Sequence, residues 1–303
     1  MSGSPTVAEQ QQTSPAEDAT RLAGIGMLAL STFVFSFSNV LAKWSTAGFP
    51  VGESLFIRAA VSLVLIAPVL RLDELVVAVR LNPALHTLRA VGASVELFCF
   101  YRAVTYLQLA DVTTFYLATP IMLTAISAVL LRETVGWVRW LATLAGFAGV
   151  LIALRPSSHA VSWAALYALS GSTIYTGVLA ITRRLRRTPN MVLVATQLGA
   201  LLLLSGASLP FAWTPLTLGA AAMLGLVGAI SVLGYVCVNR ALQLAPASAV
   251  APFQYASIIW SVLLGYLVFA DVPDPATMTG AAIIMSAGLF ILLRERLASV
   301  RRR

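Results

Sequence analysis

Charged residues are scarce in this sequence. Asp, Glu, Lys and Arg make up 11% of the 303 residues, whereas 59% of the residues are hydrophobic and the mean hydropathy is +0.87. In a typical soluble domain about a quarter of the residues are charged. A soluble protein with this composition would expose large apolar patches and aggregate. The composition therefore excludes a soluble globular protein and indicates an all-α integral membrane protein in a lipid bilayer.

Groups that carry enzyme chemistry are also rare. The two histidines, His86 and His159, fall in or near predicted loops, and the two cysteines, Cys99 and Cys237, fall inside apolar segments. The sequence has no H-E-x-x-H or G-x-S-x-G motif, no Cys/His cluster with metal-ligand spacing and no Walker A loop. We therefore expect no enzyme activity, no metal and no cofactor, and we expect an ion or solute gradient to supply the energy. An intramembrane enzyme and a channel are the rival classes, although neither a repeated filter nor a ring of like charges is present.

The net charge of +8 comes from basic residues in short runs between apolar stretches, such as 183–187 and 301–303. Runs of this kind are typical of cytoplasmic loops, so the charge does not indicate a nucleic-acid partner. The first residues are rich in Gln, Ser, Thr, Pro and Ala and lack the basic start and apolar centre of a signal peptide. They predict a disordered cytoplasmic tail over residues 1–21.

Ten apolar stretches are long enough to span a bilayer. They cover residues 22–44, 51–70, 84–107, 110–131, 135–154, 161–181, 191–210, 217–240, 247–269 and 275–293. With the N-terminus inside, sixteen of the twenty Lys and Arg residues, including Arg89, fall on the cytoplasmic side. The positive-inside rule therefore predicts ten transmembrane helices in the bacterial inner membrane, with both termini in the cytoplasm.

The sequence matches itself at an offset of 138 residues. At this offset Cys99-Phe100-Tyr101-Arg102-Ala103 lies over Cys237-Val238-Asn239-Arg240-Ala241, and Glu133 lies over Asp271. The match predicts two five-helix repeats, over residues 22–156 and 157–295, followed by a basic cytoplasmic tail over 296–303. Because five is odd, the second repeat must enter the membrane inverted, which is a recurring construction of secondary transporters. A duplicated structural scaffold is the alternative.

Inversion puts equivalent residues on opposite sides of the membrane. Glu133 is expected on the cytoplasmic side and Asp271 on the outer side, each more suited to structural pairing at a helix end than to substrate binding. Cys99 and Cys237 are expected in opposite halves of the bilayer, so no disulfide is predicted between them.

Three segments of the first half carry a family resemblance, and the second half repeats them. The first-half segments are 102–111, Ala118-Thr119-Pro120 and 131–136, and the echoes are Arg240-Ala241-Leu242, Ala245-Pro246-Ala247-Ser248 and Ala270-Asp271. In these segments the chain resembles the EamA-type members of the drug/metabolite transporter superfamily, over nearly all of residues 22–295. It departs from the family pattern at Ile258, which stands where Pro120 sits in the first half, and at Asp271, which replaces the usual Glu.

The resemblance implies a ten-helix carrier with inverted repeats and a central cavity that works by alternating access. Bacterial members of the family are often exporters of amino acids or related metabolites, and some extrude toxic cations. The resemblance therefore favours an aromatic-amino-acid exporter, acting as a monomer or homodimer on a small-molecule substrate. Uptake or exchange of a nucleotide-like metabolite such as S-adenosylmethionine is the alternative that the same superfamily offers.

Ionisable groups deep in a membrane are costly and usually functional. Glu96 is the only carboxylate near the middle of a predicted span, and it suits either a proton-coupling site or a counter-ion for a substrate ammonium group. A packing role, with Glu96 satisfied by neighbouring helices, is the alternative. Arg102 and Arg240 end equivalent spans, where they either extend to the membrane surface or, for Arg102, bind a substrate carboxylate. Arg58 lies five residues beyond Glu53 and either binds an anionic group or forms a structural pair.

Pro120 lies within the fourth predicted span, where its missing N–H leaves the carbonyl group of Tyr116 without its helical donor. Broken helices near the midplane are where carriers place substrate contacts. The residues predicted to bind substrate are Ser36, Asn39, Glu96, Tyr101, Arg102, Tyr116, Tyr175, Asn239, Gln254 and Trp260. As a set they fit a cavity for a zwitterion with an apolar side chain, although each alone is more often a contact between helices.

Overall fold

The computed structural model describes most of the chain. The described residues are 15–46, 48–106, 112, 115–133, 135–154 and 163–269, with residues 275, 278–280, 282–283, 286–287 and 290 beyond them. The predicted tail 296–303 and Asp271 lie outside the described residues.

All regular secondary structure in the described part is helical. The helices are α1 (Pro15–Thr46), α2 (Val51–Ile66), α3 (Leu72–Leu81), α4 (Pro83–Tyr106), α5 (Thr119–Val129), α6 (Trp137–Leu154), α7 (Trp163–Arg184), α8 (Asn190–Gly206), α9 (Leu218–Leu244), α10 (Ala247–Val250) and α11 (Ala256–Phe269). Short 3-10 turns follow α2, α8 and α10, at Ala67–Val69, Leu209–Phe211 and Ala251–Tyr255.

Four helices of the described chain are long and apolar enough to cross a bilayer, by length and composition. Their spans are 19–41, 51–69, 190–211 and 218–244, and shorter apolar helices cover 119–129 and 140–149. The four spans match the first, second, seventh and eighth predicted spans to within a few residues. An apolar run of about twenty residues specifies a helix in lipid because each backbone N–H and C=O must be paired within the segment.

The first helix and α3 differ from the sequence prediction. α1 begins at Pro15, so residues 15–21 are helical and the prediction of disorder to residue 21 is wrong for them; proline is favoured at the first position of a helix. α3 occupies a stretch that was predicted as a loop. It exposes Leu72 and Leu81, by 67% and 72%, and its Arg71–Glu74 ion pair also lies at the surface.

Most of the closely packed helix pairs have an equivalent pair in the other half of the chain. A shift of 138 residues carries α1, α2, α4 and α5 onto α7, α8, α9 and α11. α1 packs on α9 and α4 packs on α7, so the shift converts each pair into the other. The shift likewise converts the pair α4–α8 into α9–α2, and the pair α1–α11 into α7–α5. The pair α2–α8 is converted into itself. Equivalent helices of the two halves therefore make equivalent contacts.

Two equivalent stretches are interrupted helices. In the first half a turn at residues 117–118 precedes α5, which begins at Thr119 with Pro120 in its first turn. In the second half the 3-10 segment Ala251–Tyr255, with Pro252 in its first turn, separates α10 from α11. Pro120 therefore starts a helix, because the first turn needs no intrahelical donor. The break was predicted at Pro120 itself, whereas it lies just before this residue, at the turn of residues 117–118.

Candidate functional site

A cavity of about 170 Å³ lies where α1, α2, α4, α7 and α9 meet the two interrupted stretches. Its polar and aromatic lining comes from both halves of the chain. The lining residues are Leu28, Ser31, Thr32, Phe35, Ser36, Asn39, Arg58, Glu96, Leu97, Phe100, Tyr116, Leu117, Tyr175, Tyr235, Gln254 and Ser257.

Arg58 on α2 contributes a cation to this wall. Its side chain is 4% exposed. Nη1 donates to the hydroxyl of Tyr101 on α4 at 2.9 Å, and Nη2 donates to the hydroxyl of Tyr235 on α9 at 2.9 Å. The charge is therefore fixed in place by two tyrosine hydroxyls, and no carboxylate of the described part of the chain forms an ion pair with it. Glu53, five residues before Arg58, accepts from the backbone N–H of Thr214.

Glu96 on α4 contributes the carboxylate. Its Oε1 accepts a hydrogen bond of 2.8 Å from the hydroxyl of Tyr116. Tyr116 also packs edge-on against Phe100, with ring centroids 5.3 Å apart, and lies 6.1 Å from the ring of Tyr175. A Cβ atom on Gly171 would overlap the Tyr116 hydroxyl, so the absence of a side chain on α7 makes room for the Tyr116–Glu96 contact.

Six of the ten residues predicted to bind substrate line this one cavity. They are Ser36, Asn39, Glu96, Tyr116, Tyr175 and Gln254. The structure brings these residues together from α1, α4, α7 and the two interrupted stretches, although they are up to 218 positions apart in the sequence. Their roles in substrate binding stay predictions.

The other four predicted residues lie outside the cavity wall. Tyr101 is buried and accepts the bond from Arg58, and Arg102 is exposed on α4. Trp260 donates through Nε1 to Thr32 at 3.2 Å and packs edge-on against Phe33. Asn239 is 1% exposed and belongs to a separate polar cluster around Arg89.

Arg89 is the centre of that cluster. It is 1% exposed, although the sequence reading treated it as one charge among the cytoplasmic loops. All three guanidinium nitrogens are bonded: Nε to Thr182 at 2.7 Å, Nη1 to the Leu193 carbonyl at 2.9 Å, and Nη2 to Asn239 at 2.8 Å and Gln197 at 3.3 Å. We call these residues, Arg89, Thr182, Leu193, Gln197 and Asn239, the Arg89 cluster.

His86 lies one turn before Arg89 and is 2% exposed. The residue belongs to the first turn of α4, next to the loop near which it was predicted. Neither ring nitrogen of His86 has a hydrogen-bond partner among the described residues.

Glu133 and Arg183 form a second polar junction between the halves. Oε1 of Glu133 accepts from Nε of Arg183 at 2.9 Å, and its carboxylate also accepts from the backbone N–H groups of Ala247 and Ser248 at 3.2 Å. Arg183 donates through Nη1 to the Leu242 carbonyl at 2.8 Å. The pair therefore caps the start of α10 and the end of α9, which is the structural pairing that the sequence reading favoured for Glu133.

The described residues contain no group of three or more His, Cys, Asp or Glu side chains suited to a metal ion. The cavity instead holds one cation, one carboxylate, several hydroxyl and amide groups, and aromatic faces. Such a lining can bind a small molecule that carries both charges and a planar or apolar part. Sequence reasoning left Arg58 with two open roles and counted Arg89 as a loop charge; the available signal was that each stands within a predicted apolar span.

Comparison with known proteins identifies related sequences. The sequence pattern of the EamA-like transporter family matches residues 22–155 and again residues 162–293. The two matches together cover most of the chain, and each falls within one half of it.

Several curated relatives match nearly end to end. A riboflavin transporter of Rhizobium johnstonii is 28% identical over 95% of this chain and 97% of its own length. A pseudopaline exporter of Pseudomonas aeruginosa is 27% identical over 87% and 94%, and an S-adenosylmethionine uptake transporter of Rickettsia bellii is 27% identical over 91% and 95%. A solved crystal structure superposes with a TM-score of 0.73 over 92% of this chain and 99% of that chain, at 19% identity, which shows a shared fold.

Proposed function

Because the chain belongs to the EamA-like transporter family, we propose that it is a secondary transporter that exports a small zwitterionic metabolite through the cavity around Glu96. The observation that carries the proposal is that one carboxylate, Glu96, and one cation, Arg58, line a single cavity together with aromatic side chains. An amino acid with an aromatic or other apolar side chain has this distribution of charge and apolar surface.

Arg58 argues against a simple cation as the substrate. A buried guanidinium in the cavity wall repels a ligand that carries only positive charge, whereas it attracts the carboxylate of a zwitterion. Glu96 would then hold the ammonium group, and the rings of Phe100, Tyr116 and Tyr175 would face the apolar part. S-adenosylmethionine is the second candidate, because it has the same amino-acid head group and one relative is named as its uptake transporter.

The repeat architecture supports the mechanism. We propose ten spans in two inverted five-helix repeats, so that the halves exchange conformations about the cavity and open it to one side at a time. The support is that equivalent helices of the two halves make equivalent contacts. For example, α1 packs on α9, and their equivalents, α7 and α4, pack on each other. We place both termini in the cytoplasm and the protein in the bacterial inner membrane on the distribution of Lys and Arg.

Glu96 is also the candidate for proton coupling. Its Oε2 makes no hydrogen bond to any described residue, whereas Oε1 is held by Tyr116. A carboxylate of this kind can exchange a proton for the ammonium group of a substrate, because binding both at once would place two positive charges on one anion.

The test is transport by the purified protein in inside-out proteoliposomes. We would measure uptake of phenylalanine, tyrosine, tryptophan, leucine, S-adenosylmethionine and riboflavin, each with and without a pH gradient. We expect saturable counterflow of an aromatic amino acid, stimulated by the same compound on the opposite side. Flux that rises linearly with concentration would indicate a channel and contradict the proposal, and uptake only in the opposite orientation would make the protein an importer.

Two carboxylate variants separate coupling from folding. Glu96→Gln should abolish pH-driven accumulation while substrate exchange continues, since exchange needs no net proton movement. Glu53→Gln is the matched control: Glu53 is fully buried but lies outside the cavity, and it should keep pH-driven accumulation. Equal accumulation by Glu96→Gln and the wild type would reject Glu96 as the coupling residue.

A further inference from the structure

We infer that Arg89 is the positioning residue that closes the cavity at the end of the bundle where α4 begins. This inference rests on the proposed alternating-access function and names the contacts that must break when this end opens. None of the relatives' names or the family match assigns a role to Arg89.

The Arg89 cluster lies directly beyond the cavity wall on three helices. On α4 the cavity reaches Glu96, and Arg89 stands seven residues earlier, which is two turns away on the same face and about 10 Å along the helix axis. On α7 the cavity reaches Tyr175, and Thr182 stands seven residues later on the same face. On α9 the cavity reaches Tyr235, and Asn239 follows one turn later. The cluster therefore forms the floor of the cavity.

Each hydrogen bond that Arg89 donates crosses between the two halves of the chain. Arg89 belongs to the first half, and its four acceptors on Thr182, Leu193, Gln197 and Asn239 belong to the second. If the halves rock about the cavity, this end cannot open unless the guanidinium leaves these acceptors. A single side chain thus connects α4 with three helices of the other half, α7, α8 and α9.

The Glu133–Arg183 junction forms a second layer farther from the cavity. Arg183 follows Thr182 on α7, and the Leu242 carbonyl that it contacts lies one turn beyond Asn239 on α9. Glu133 comes from the first half and contacts the second through Arg183 and α10. Its ion pair is 11% and 13% exposed, whereas Arg89 is 1% exposed. The layers are therefore ordered from the cavity outwards, and Arg89 is the inner closure.

A substitution can also strengthen the contact between Arg89 and Asn239. Nδ2 of Asn239 is buried and has no hydrogen-bond partner among the described residues, while its Oδ1 accepts from Arg89. Asn239→Asp replaces the unpartnered donor by an oxygen and adds a negative charge beside the guanidinium. This change should stabilise the closed state of this end, whereas a change that removes an acceptor of Arg89 should destabilise it.

Sided chemical labelling tests the inference without any substrate. Ser257, which lines the cavity, would be changed to cysteine in a background with Cys99→Ala and Cys237→Ala. A membrane-impermeant maleimide would be applied to each face of sealed vesicles. Thr182→Val removes one acceptor of Arg89 and keeps the side-chain shape, so labelling from the face where α4 begins should rise about fivefold. Asn239→Asp should lower the same rate.

Thr176→Val is the matched control. Thr176 is 1% exposed on α7, and its hydroxyl bonds only to the Ser172 carbonyl of its own helix. We expect labelling rates in this variant to equal those of the parent. Equal rates in Thr182→Val and Thr176→Val, or faster labelling in Asn239→Asp, would overturn the inference while leaving transport by the wild type intact. A parent protein that labels but carries no saturable flux would instead contradict the proposed function.

Discussion

The hydroxyl of Tyr116 lies 2.8 Å from Oε1 of Glu96 and donates a hydrogen bond to it. Tyr116 belongs to the interrupted stretch before α5, whereas Glu96 lies in the middle of α4. The contact therefore fixes the carboxylate relative to the residues just before the turn at 117–118. Any movement of this stretch during transport changes the surroundings of Glu96.

Tyr116→Phe tests the value of this contact. The variant keeps the ring, which packs against Phe100, and removes the donor to Glu96. Because hydrogen bonds to charged groups are worth about 1.5–3 kcal/mol, we expect the substrate concentration at half-maximal flux to change by about tenfold or more. The measurement is concentration-dependent counterflow. Tyr167→Phe, at an exposed position on α7, is the control and should match the wild type.

Gly171→Ala should impair transport through the same contact. A Cβ atom at this position would overlap the Tyr116 hydroxyl and lie close to Cys99, so Tyr116 must move away from Glu96. Gly177→Ala is the control on the same helix, because a Cβ there meets nothing within 4 Å. We expect reduced counterflow for Gly171→Ala only, and a slightly raised melting temperature for Gly177→Ala, since alanine favours helix over glycine. Normal flux in Gly171→Ala would argue against the geometric requirement.

Tyr235→Phe should destabilise the fold. Removing the hydroxyl leaves Nη2 of the buried Arg58 without its acceptor, and an unpaired buried donor costs about 1–3 kcal/mol, more when it is charged. The midpoint of thermal unfolding of the purified protein should fall by several degrees. Tyr266→Phe, at a 54% exposed position, should leave the midpoint unchanged, and an equal effect of both variants would contradict the role of the Arg58 network.

Glu133→Gln and Glu74→Gln compare a partly buried ion pair with an exposed one. Glu133 and Arg183 are 13% and 11% exposed, whereas Glu74 and Arg71 are 34% and 72% exposed. Exposed pairs contribute little, so Glu74→Gln should leave thermal stability nearly unchanged. Glu133→Gln removes charge from a junction that also caps α10, and it should lower the unfolding midpoint measurably. The ranking would be refuted by a larger loss for Glu74→Gln.

Single-cysteine labelling tests the proposed topology. Cysteines introduced at Val76 and Arg186 should react with an impermeant thiol reagent from the same side of the membrane, and a cysteine at Trp163 should react from the opposite side. All three positions are exposed. Labelling of Val76→Cys and Arg186→Cys from different sides would remove the basis for two inverted five-helix repeats.

The membrane class, the family and most helix positions follow from the sequence alone. Apolar runs of spanning length leave the backbone no alternative to helix in lipid, so the second, third and eighth predicted spans agree closely with α2, α4 and α9. Equivalent helix pairs also exchange under a shift of 138 residues, whereas the division into two five-helix repeats stays a prediction. The start of α1 and the presence of α3 were missed, because short polar or mixed segments carry a weak periodic signal.

Residue type and position in a span were sufficient to select Glu96, since an isolated carboxylate among apolar residues is costly. The same sequence could not decide which side chains meet. The partners of Arg58, Tyr101 and Tyr235, are 43 and 177 positions away, and the four acceptors of Arg89 lie on three different helices. Local hydrophobicity determines whether a segment is a helix in lipid, whereas the rotation and contacts of each helix depend on the packing of all its neighbours. Only the tertiary structure therefore showed that Arg58 lies in the cavity wall and that Arg89 lies outside it.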